Sequence, residues 1–227
     1  MDSNIRSFIP TLKENQLVDY LNKQLDSFFP DGNNNIKILK GIVNKSLERV
    51  EFCFSKIKGK YYSDDKNVFF NHLNGDHYCM FLYFASREAY LIENENYYLK
   101  LSLLNKHLFA IDIFGHIEMP NIFLLVHPIG TIIGRAQIKD YFIAYQGVTI
   151  GGVHKENGVS YPELDEGSIC YSNSSILGSS TIAKNTIIGA NTNIIGGSFK
   201  ENSVILGSHP SIKIIDNLRN NKSTFFR

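Results

Sequence analysis

Three of the four histidines in the second half of the chain are candidates for moving a proton or binding a metal near neutral pH. They are His116, His127 and His154. A neutral imidazole can act as a general base, and its nitrogens are also common zinc ligands. No two of the three lie a few residues apart, which weakens the prediction of a zinc site. A lone histidine is more often structural than catalytic, so the interpretation depends on the elements that position these residues.

The composition excludes several classes of protein. The chain has 227 residues, and its 23 Lys plus Arg nearly balance 22 Asp plus Glu, so no strong field would attract nucleic acid. It has no run of about 18 apolar residues that could span a membrane. Its first residues carry charges where a signal peptide needs an apolar core. Cys53, Cys79 and Cys170 are odd in number and far apart, which is typical of reduced cytoplasm. We therefore expect a cytoplasmic protein.

The first half of the chain has the apolar spacing of α-helices. The predicted helical segments are approximately 9–29, 38–53, 75–92 and 97–109. A polar, looped stretch is expected over 59–69. Because aromatic side chains dominate core burial, we expect Met80, Phe81, Tyr83 and Phe84 to face the core of a helix bundle.

The second half repeats every six residues. One position of the repeat is apolar, and a small residue follows four positions later. The apolar position is held by Leu164, Cys170, Ile176, Ile182, Ile188 and Ile194, and the small one by Ser168, Ser174, Ser180, Thr186, Thr192 and Ser198. A helix repeats about every 3.6 residues and a strand every two. The six-residue period instead predicts a parallel β-helix with the apolar residues inside.

An earlier run keeps the same period, with Ile132, Ile138, Ala144 and Ile150 in the apolar position. Between the two runs, residues 151–163 are polar, contain glycine and fall out of register. An insertion in a repeat protein maps to a loop on one face, often the face that binds a ligand. We therefore expect one loop extruded from the β-helix.

These features resemble the serine acetyltransferase branch of the hexapeptide-repeat acyltransferases. The resemblance is carried by Ile111-Asp112-Ile113, by His127-Pro128-Ile129-Gly130-Thr131-Ile132-Ile133-Gly134, and by Tyr145-Gln146-Gly147-Val148-Thr149-Ile150-Gly151-Gly152. It implies an α+β protein with an N-terminal α-helical domain (1–110), a left-handed parallel β-helix (111–210) and a C-terminal tail (211–227). It also implies a homotrimer or a dimer of trimers, with acetyl-CoA bound between neighbouring prisms and no metal.

The resemblance also suggests which residues carry the chemistry. His127 falls where the family keeps its general base, and Asp112 lies where the family places the carboxylate that orients this base. An alcohol is a weak nucleophile at pH 7, and an imidazole can remove its proton during attack on a thioester. A carboxylate on the other ring nitrogen fixes the tautomer and stabilises the imidazolium.

Small residues match the family positions beside acetyl-CoA. Gly152 corresponds to the family glycine at the base of the extruded loop, and Ser172 and Ala190 correspond to small residues beside the pantetheine arm. Small side chains let the backbone approach an extended ligand closely. The resemblance therefore assigns these three residues to cofactor binding.

The chain departs from this family where the acceptor would bind. Val126 replaces an acidic residue that directly precedes the base, and Ser160 and Tyr161 replace an Arg-His pair. Those family residues bind the amine and the carboxylate of serine, and a site for a charged ligand is weakened when such partners are lost. We therefore expect a sugar or nucleotide sugar of a surface-polysaccharide pathway as the acceptor, bound by Tyr161 and His154.

Three alternatives stay open. The first is a serine O-acetyltransferase of cysteine biosynthesis that binds serine through altered contacts. The second is a non-catalytic scaffold, in which the β-helix only forms trimers. The third is a zinc hydratase of the β-helix class, with His116, His127 and His154 as ligands across a trimer.

Overall fold

The chain divides into a mainly helical unit and a mainly β-stranded unit in a computed structural model that describes residues 6–156 and 158–227. The first unit runs to Phe109 and includes Phe114–His116, and the second contains Ala110–Ile113 and Ile117–Arg227. Residues 1–5, at the start of the segment whose charges argue against a signal peptide, and Asn157 of the predicted loop lie outside the described residues. Within the described residues, no helix has the length and apolarity needed to cross a membrane.

The described part of the first unit consists of four helices and two short strands. Its elements are β1 (Ser7–Pro10), α1 (Glu14–Phe28), α2 (Ile36–Ser55), β2 (Asn67–Phe70), α3 (Gly75–Leu91) and α4 (Glu95–Phe109). Asparagine side chains start two of the helices. Asn35 accepts from the N–H groups of Lys37 and Ile38, and Asn74 caps α3 in the same way. An asparagine at this position satisfies N–H groups that the first helical turn leaves without partners.

Helix α3 forms the centre of this unit. It packs against α2 and α4 and is buried on most of its surface. Met80, Phe81, Tyr83 and Phe84 are at most 3% exposed, which confirms that they line the core. Cys53 and Cys79 are buried thiols in the same core.

The strand pair in the first unit was not predicted. Residues 7–10 of β1 pair in parallel with residues 67–70 of β2. A loop was expected over this second strand, up to about Phe69. A four-residue strand whose partner lies about sixty positions earlier leaves no local periodicity to detect.

The second unit is built from short strands that stack on one another. Its elements are β3 (Phe123–Val126), β4 (Ile132–Ile133), β5 (Gln137–Ile138), β6 (Phe142–Tyr145), β7 (Thr149–Gly151), β8 (Val153–Lys155), β9 (Gly158–Ser160), β10 (Glu163–Leu164), β11 (Ile169–Cys170), β12 (Ser175–Ile182), β13 (Ile187–Ile188), β14 (Asn193–Phe199), β15 (Ser203–Ser208), β16 (Ser211–Asp216) and α5 (Asn221–Phe225).

The parallel pairings arrange these strands into a three-sided prism. The first face contains β3, β6, β11, β13 and β15. The second face contains β4, β7 and the first halves of β12 and β14. The third face contains β5, β10 and the second halves of β12 and β14. Successive coils therefore place equivalent residues above one another.

Burial confirms the six-residue repeat. The apolar positions Leu164, Cys170, Ile176, Ile182, Ile188 and Ile194 are at most 1% exposed. The small residues Ser168, Ser174, Ser180, Thr186 and Thr192 are completely buried. The prism thus buries one apolar column per face, and this burial is the main stabilising term for such a fold.

Two assignments within the repeat were wrong. Ile132 is 45% exposed, and Ile133 takes the interior position because it pairs with Ile150. Ser198 is exposed because the register shifts within β12, so that Phe199 pairs with Ile182. Both errors arise where a corner of the coil departs from the regular length.

The C-terminal segment, set apart above as a tail, contains a strand and a short helix. Strand β16 pairs antiparallel with β15. Farther along, the Asn217 amide donates to the carbonyl of Asn185 at 2.9 Å, and the Asn221 amide donates to that of Gly167 at 2.8 Å. Phe226 is 2% exposed and contacts the ring of Tyr141. The segment therefore packs along one corner of the prism.

A buried histidine makes the first unit sensitive to acid. His77 is 1% exposed and lies among the rings of Phe54, Tyr62 and Phe70. Its Nδ1 accepts from the N–H of Asn71 at 3.1 Å, whereas its Nε2 has no partner among the described residues. Burial lowers the pKa of His77 from 6.5 to about 4. Charging this imidazole therefore favours the unfolded state.

We expect the free energy of unfolding to fall by about 1.5 kcal/mol between pH 6.5 and pH 5 because of His77. The unfolded chain takes up the proton below pH 6.5, whereas the folded chain takes it up only near pH 4. Urea unfolding at several pH values measures the effect. His77→Gln should remove this component, and the exposed His107→Gln should retain it. An unchanged pH dependence in His77→Gln would contradict the prediction.

Candidate active site

The corner that carries His127 is longer than the corners stacked with it. Between the paired positions Val126 and Ile132 lie five residues, 127–131, whereas only three residues, 146–148, lie between Tyr145 and Thr149 in the next coil. The coil therefore bulges by two residues where His127 lies. The bulge turns the chain outward before β4 returns it to the regular register.

The backbone of His127 is in the left-handed region, with φ of 47°. Its carbonyl accepts from the N–H of Ile129 at 2.7 Å. Few residues other than glycine adopt this conformation, and those that do often occur at functional sites. The His127 side chain is exposed, so its imidazole is accessible to a ligand.

Asp112 is bound through its backbone to the end of the same corner. Its N–H donates to the carbonyl of Thr131 at 2.9 Å, and its carbonyl accepts from the N–H of Ile133 at 3.0 Å. Its neighbours Ile111 and Ile113 are buried. Because side chains alternate along extended backbone, the carboxylate of Asp112 faces outward, on the side of the strand opposite to those neighbours. Both predicted catalytic residues thus adjoin β4.

The Thr131 side chain connects the bulged corner to the next coil. Its hydroxyl is completely buried and donates to the carbonyl of Tyr145 at 3.0 Å. The N–H of Gly147 donates to the carbonyl of Ile129 at 3.0 Å. These bonds connect the long corner to the regular corner of the next coil, so the backbone around His127 is supported on both sides.

Ser172 and Ala190 lie on successive coils at the corner that carries His127. The N–H of Asn191 donates to the carbonyl of Ser172, and the N–H of Asn173 donates to the carbonyl of Gln146, both at 2.9 Å. Gln146, Ser172 and Ala190 therefore form one ledge. Ala190 is exposed and Ser172 is half-buried, so the ledge offers small side chains to an extended ligand.

Two tyrosines beside this ledge were not among the predicted site residues. Tyr145 and Tyr171 stack with ring centroids 4.9 Å apart, next to Gln146 and Ser172 respectively. Burial, with a smaller effect of Tyr171, raises the pKa of Tyr145 above its usual value. The Tyr145 hydroxyl therefore remains protonated and can act as a hydrogen-bond donor. The two rings stack only because the chain between them, which includes the inserted hairpin, has the right length. The six-residue period therefore does not reveal this contact in the sequence.

The predicted extruded loop is a β-hairpin. Val153–Lys155 pairs antiparallel with Gly158–Ser160, and His154 lies opposite Val159. The ammonium of Lys155 donates to the hydroxyl of Ser179 at 3.2 Å, which connects the hairpin to the next coil. His154 is exposed. The hairpin therefore folds back against the corner between the second and third faces.

Because Gly152 has no side chain, Val159 and Tyr161 can lie close to the backbone at the base of the hairpin. A Cβ atom there would lie 2.6 Å from Val159 and 2.8 Å from the ring of Tyr161. The Cζ atom of Arg135 lies 5.3 Å from the centre of the Tyr161 ring, and its Nη1 lies 3.5 Å from the Tyr161 hydroxyl. Sequence reasoning missed Arg135, because it lies outside the loop and holds neither the apolar nor the small position of the repeat.

The predicted site residues thus fall into two groups, one at each end of the second face. His127, Ser172 and Ala190 lie at the first corner, with Asp112 bonded beside it. Gly152, His154 and Tyr161 lie at the second corner together with Arg135. A cavity of about 740 Å³ lies against the third face and contains none of the predicted residues.

The described part of the chain contains no group of three or more His, Cys, Asp or Glu residues that could hold a metal ion. His127 and His154 belong to the two different corners described above. The geometry of the second unit therefore offers no support for a zinc site that combines them within one chain.

The chain is similar to serine acetyltransferases in sequence and in fold. The enzyme of Staphylococcus epidermidis is 33% identical over 112 residues, which are 49% of this chain and 47% of that protein. The chain spans about half the length of the curated relatives it matches. No protein-family model matches it.

Two solved structures show how far the fold extends. Serine acetyltransferase from Brucella abortus, in complex with coenzyme A, has a TM-score of 0.66 at 17% identity and covers 91% of this chain and 83% of its own. The Neisseria gonorrhoeae enzyme in complex with serine has a TM-score of 0.65 at 21% identity and covers 88% and 83%. These comparisons confirm the predicted resemblance: N-terminal helices followed by a left-handed β-helix, as in the serine acetyltransferase-like branch of the hexapeptide-repeat acyltransferases.

Proposed function

We propose that the chain is an acetyl-CoA-dependent O-acetyltransferase whose acceptor is the hydroxyl of L-serine. The observation that carries this proposal is the long corner before β4, which presents His127 in the left-handed conformation beside the backbone-anchored Asp112. Similarity to serine acetyltransferases in sequence and fold supports the same activity.

The reaction is a direct transfer. His127 removes the proton of the acceptor hydroxyl as its oxygen attacks the carbonyl carbon of the thioester. The tetrahedral intermediate then collapses, the carbon–sulfur bond breaks, and the thiolate takes a proton from the His127 imidazolium. Asp112 orients the ring and stabilises its charged form. The acetyl group passes from sulfur to oxygen without a covalent enzyme intermediate.

The ledge at the first corner supports a place for acetyl-CoA. Ser172 and Ala190 offer small side chains on the same corner as His127, two and three coils farther along, so an extended pantetheine arm could approach the coil backbone. Gly152 has a second role, because its missing side chain accommodates Val159 and Tyr161. We therefore assign Ser172 and Ala190 to direct cofactor contact and Gly152 to the shape of the hairpin base.

The acceptor proposed here differs from the sugar expected from the sequence. That expectation relied on the uncharged residues Val126, Ser160 and Tyr161 at positions where the family binds serine. The similar proteins are serine acetyltransferases, which favours the amino acid. Arg135 beside Tyr161 also supplies a cation that the sequence analysis did not consider.

We further propose that the chain forms homotrimers, alone or as a dimer of trimers. Ile129, Ile132 and Ile195 are 66%, 45% and 47% exposed along the second face and its first corner. Closed rings are the usual way to bury such surface. Light scattering should give a mass three or six times that of the 25.8-kDa chain. A monomer at micromolar concentration would contradict the proposal.

The role of the base predicts the effect of its removal. His127→Ala should lower kcat by about 10²–10⁴-fold, the usual contribution of a positioned general base. Acetyl-CoA binding, measured by calorimetry, should be nearly unchanged. Asp112→Asn should cost less than His127→Ala if it only orients the ring. His107→Ala, an exposed histidine of the first unit, serves as the control. Wild-type turnover in His127→Ala would refute the mechanism.

A panel of acceptors tests the substrate. We expect thiol release from acetyl-CoA to be faster with L-serine than with nucleotide sugars, and mass spectrometry should identify O-acetylserine as the product. The physical reason is the accessible guanidinium of Arg135, which can pair with a carboxylate. Release that depends only on a sugar would overturn the serine proposal in favour of the sugar alternative.

A further inference from the structure

Arg135 is held by an aromatic ring instead of by an acid. Its guanidinium lies over the ring of Tyr161, with Cζ 5.3 Å from the ring centre. The Tyr161 ring in turn occupies space that a side chain at Gly152 would fill. A cation–π contact of this kind fixes the guanidinium while leaving its charge uncompensated. Arg135 itself is exposed, so its donor groups can reach a ligand.

Lysines elsewhere on the prism show a different arrangement. Lys139 pairs with Asp165 at 3.1 Å, Lys184 with Glu166 at 3.4 Å, and Lys222 with Glu166 at 3.1 Å. Among residues 6–156 and 158–227, no carboxylate forms an ion pair with Arg135. An anionic ligand could therefore bind at Arg135 without first breaking an ion pair.

We propose that Arg135, positioned by Tyr161, binds the carboxylate of the acceptor. The inference rests on the proposed function, since it requires an acceptor that is an amino acid. A planar guanidinium can donate two parallel N–H bonds to the two oxygens of a carboxylate, which gives both attraction and orientation. Arg135 is thus a specificity-determining residue, and Tyr161 is its positioning residue.

The base and the Arg135–Tyr161 pair lie at different corners of one chain. His127 and Arg135 lie at opposite ends of the second face, separated by β4. In the proposed trimer, neighbouring prisms can bring His127 of one copy and Arg135 of another to the same serine, as an alternative to a site formed within one chain. The second experiment distinguishes these two arrangements.

The first experiment separates carboxylate recognition from a structural role. Arg135→Gln should raise the KM for L-serine by about 10–100-fold, the loss expected for a charged hydrogen bond, with a smaller change in kcat. The KM for acetyl-CoA should be unchanged. With serinol, which replaces the carboxylate by an alcohol, Arg135→Gln and wild type should have equal KM values. Lys139→Gln, a neighbouring cation already paired with Asp165, is the matched control and should retain the wild-type KM.

The outcomes distinguish this inference from the proposed function. If wild type does not acetylate L-serine, the proposed function fails. If wild type acetylates L-serine and Arg135→Gln keeps its KM, only the assignment of Arg135 fails. An equal rise in KM for serine and for serinol would also overturn it, because the effect would then be independent of the carboxylate. Tyr161→Phe should keep most of the affinity, since the ring that holds Arg135 remains.

The second experiment tests whether the site is shared. His127→Ala and Arg135→Gln chains with different affinity tags are co-expressed, and only mixed oligomers are purified by both tags. At serine concentrations far below the KM of Arg135→Gln, each mixed trimer with shared sites should regain one of its three sites, the one with an intact His127 opposite an intact Arg135. Activity no higher than that of the two separate variants would show that both residues act within one chain.

Discussion

The β-helix depends on one constraint: the inward-facing side chain of each coil must lie directly above the equivalent side chain of the preceding coil. Ile133, Ile150, Ile176 and Ile194 satisfy it on the second face, and every member of this column is buried. A coil with one residue too many would move a polar side chain inside and an apolar one outside. Extra residues can therefore be accommodated only at corners, where the chain faces solvent.

The candidate site makes use of these permitted departures. The two additional residues before β4 present His127, and the hairpin between β7 and β10 holds Tyr161 against Arg135. The regular coils between them keep both corners at a fixed spacing. The rigid repeat thus positions irregular segments that would have no defined geometry alone. This is the common division of labour between a scaffold and its functional loops.

Much of this architecture could be predicted from the sequence, because the repeat signal accumulates over many coils. The assignment of Ser198 to the small position of the repeat was wrong, because one shortened corner changes the register of the coil without changing its composition. The strand pair β1–β2 and the stacking of Tyr145 on Tyr171 escaped prediction for another reason. Both depend on distances along the chain that no local period encodes.

Arg135 shows a limit of reasoning by aligned positions. Val126, Ser160 and Tyr161 offer no charged partner for an amino acid, and a sugar or nucleotide sugar was therefore expected as the acceptor. A binding site requires a charge at a point in space, however, and different backbone positions around one corner can supply it. Arg135 precedes β5, whereas Tyr161 follows the hairpin, yet the guanidinium and the ring are in contact. The loss of a cation at one position is therefore weak evidence against a charged ligand when a neighbouring coil can provide another.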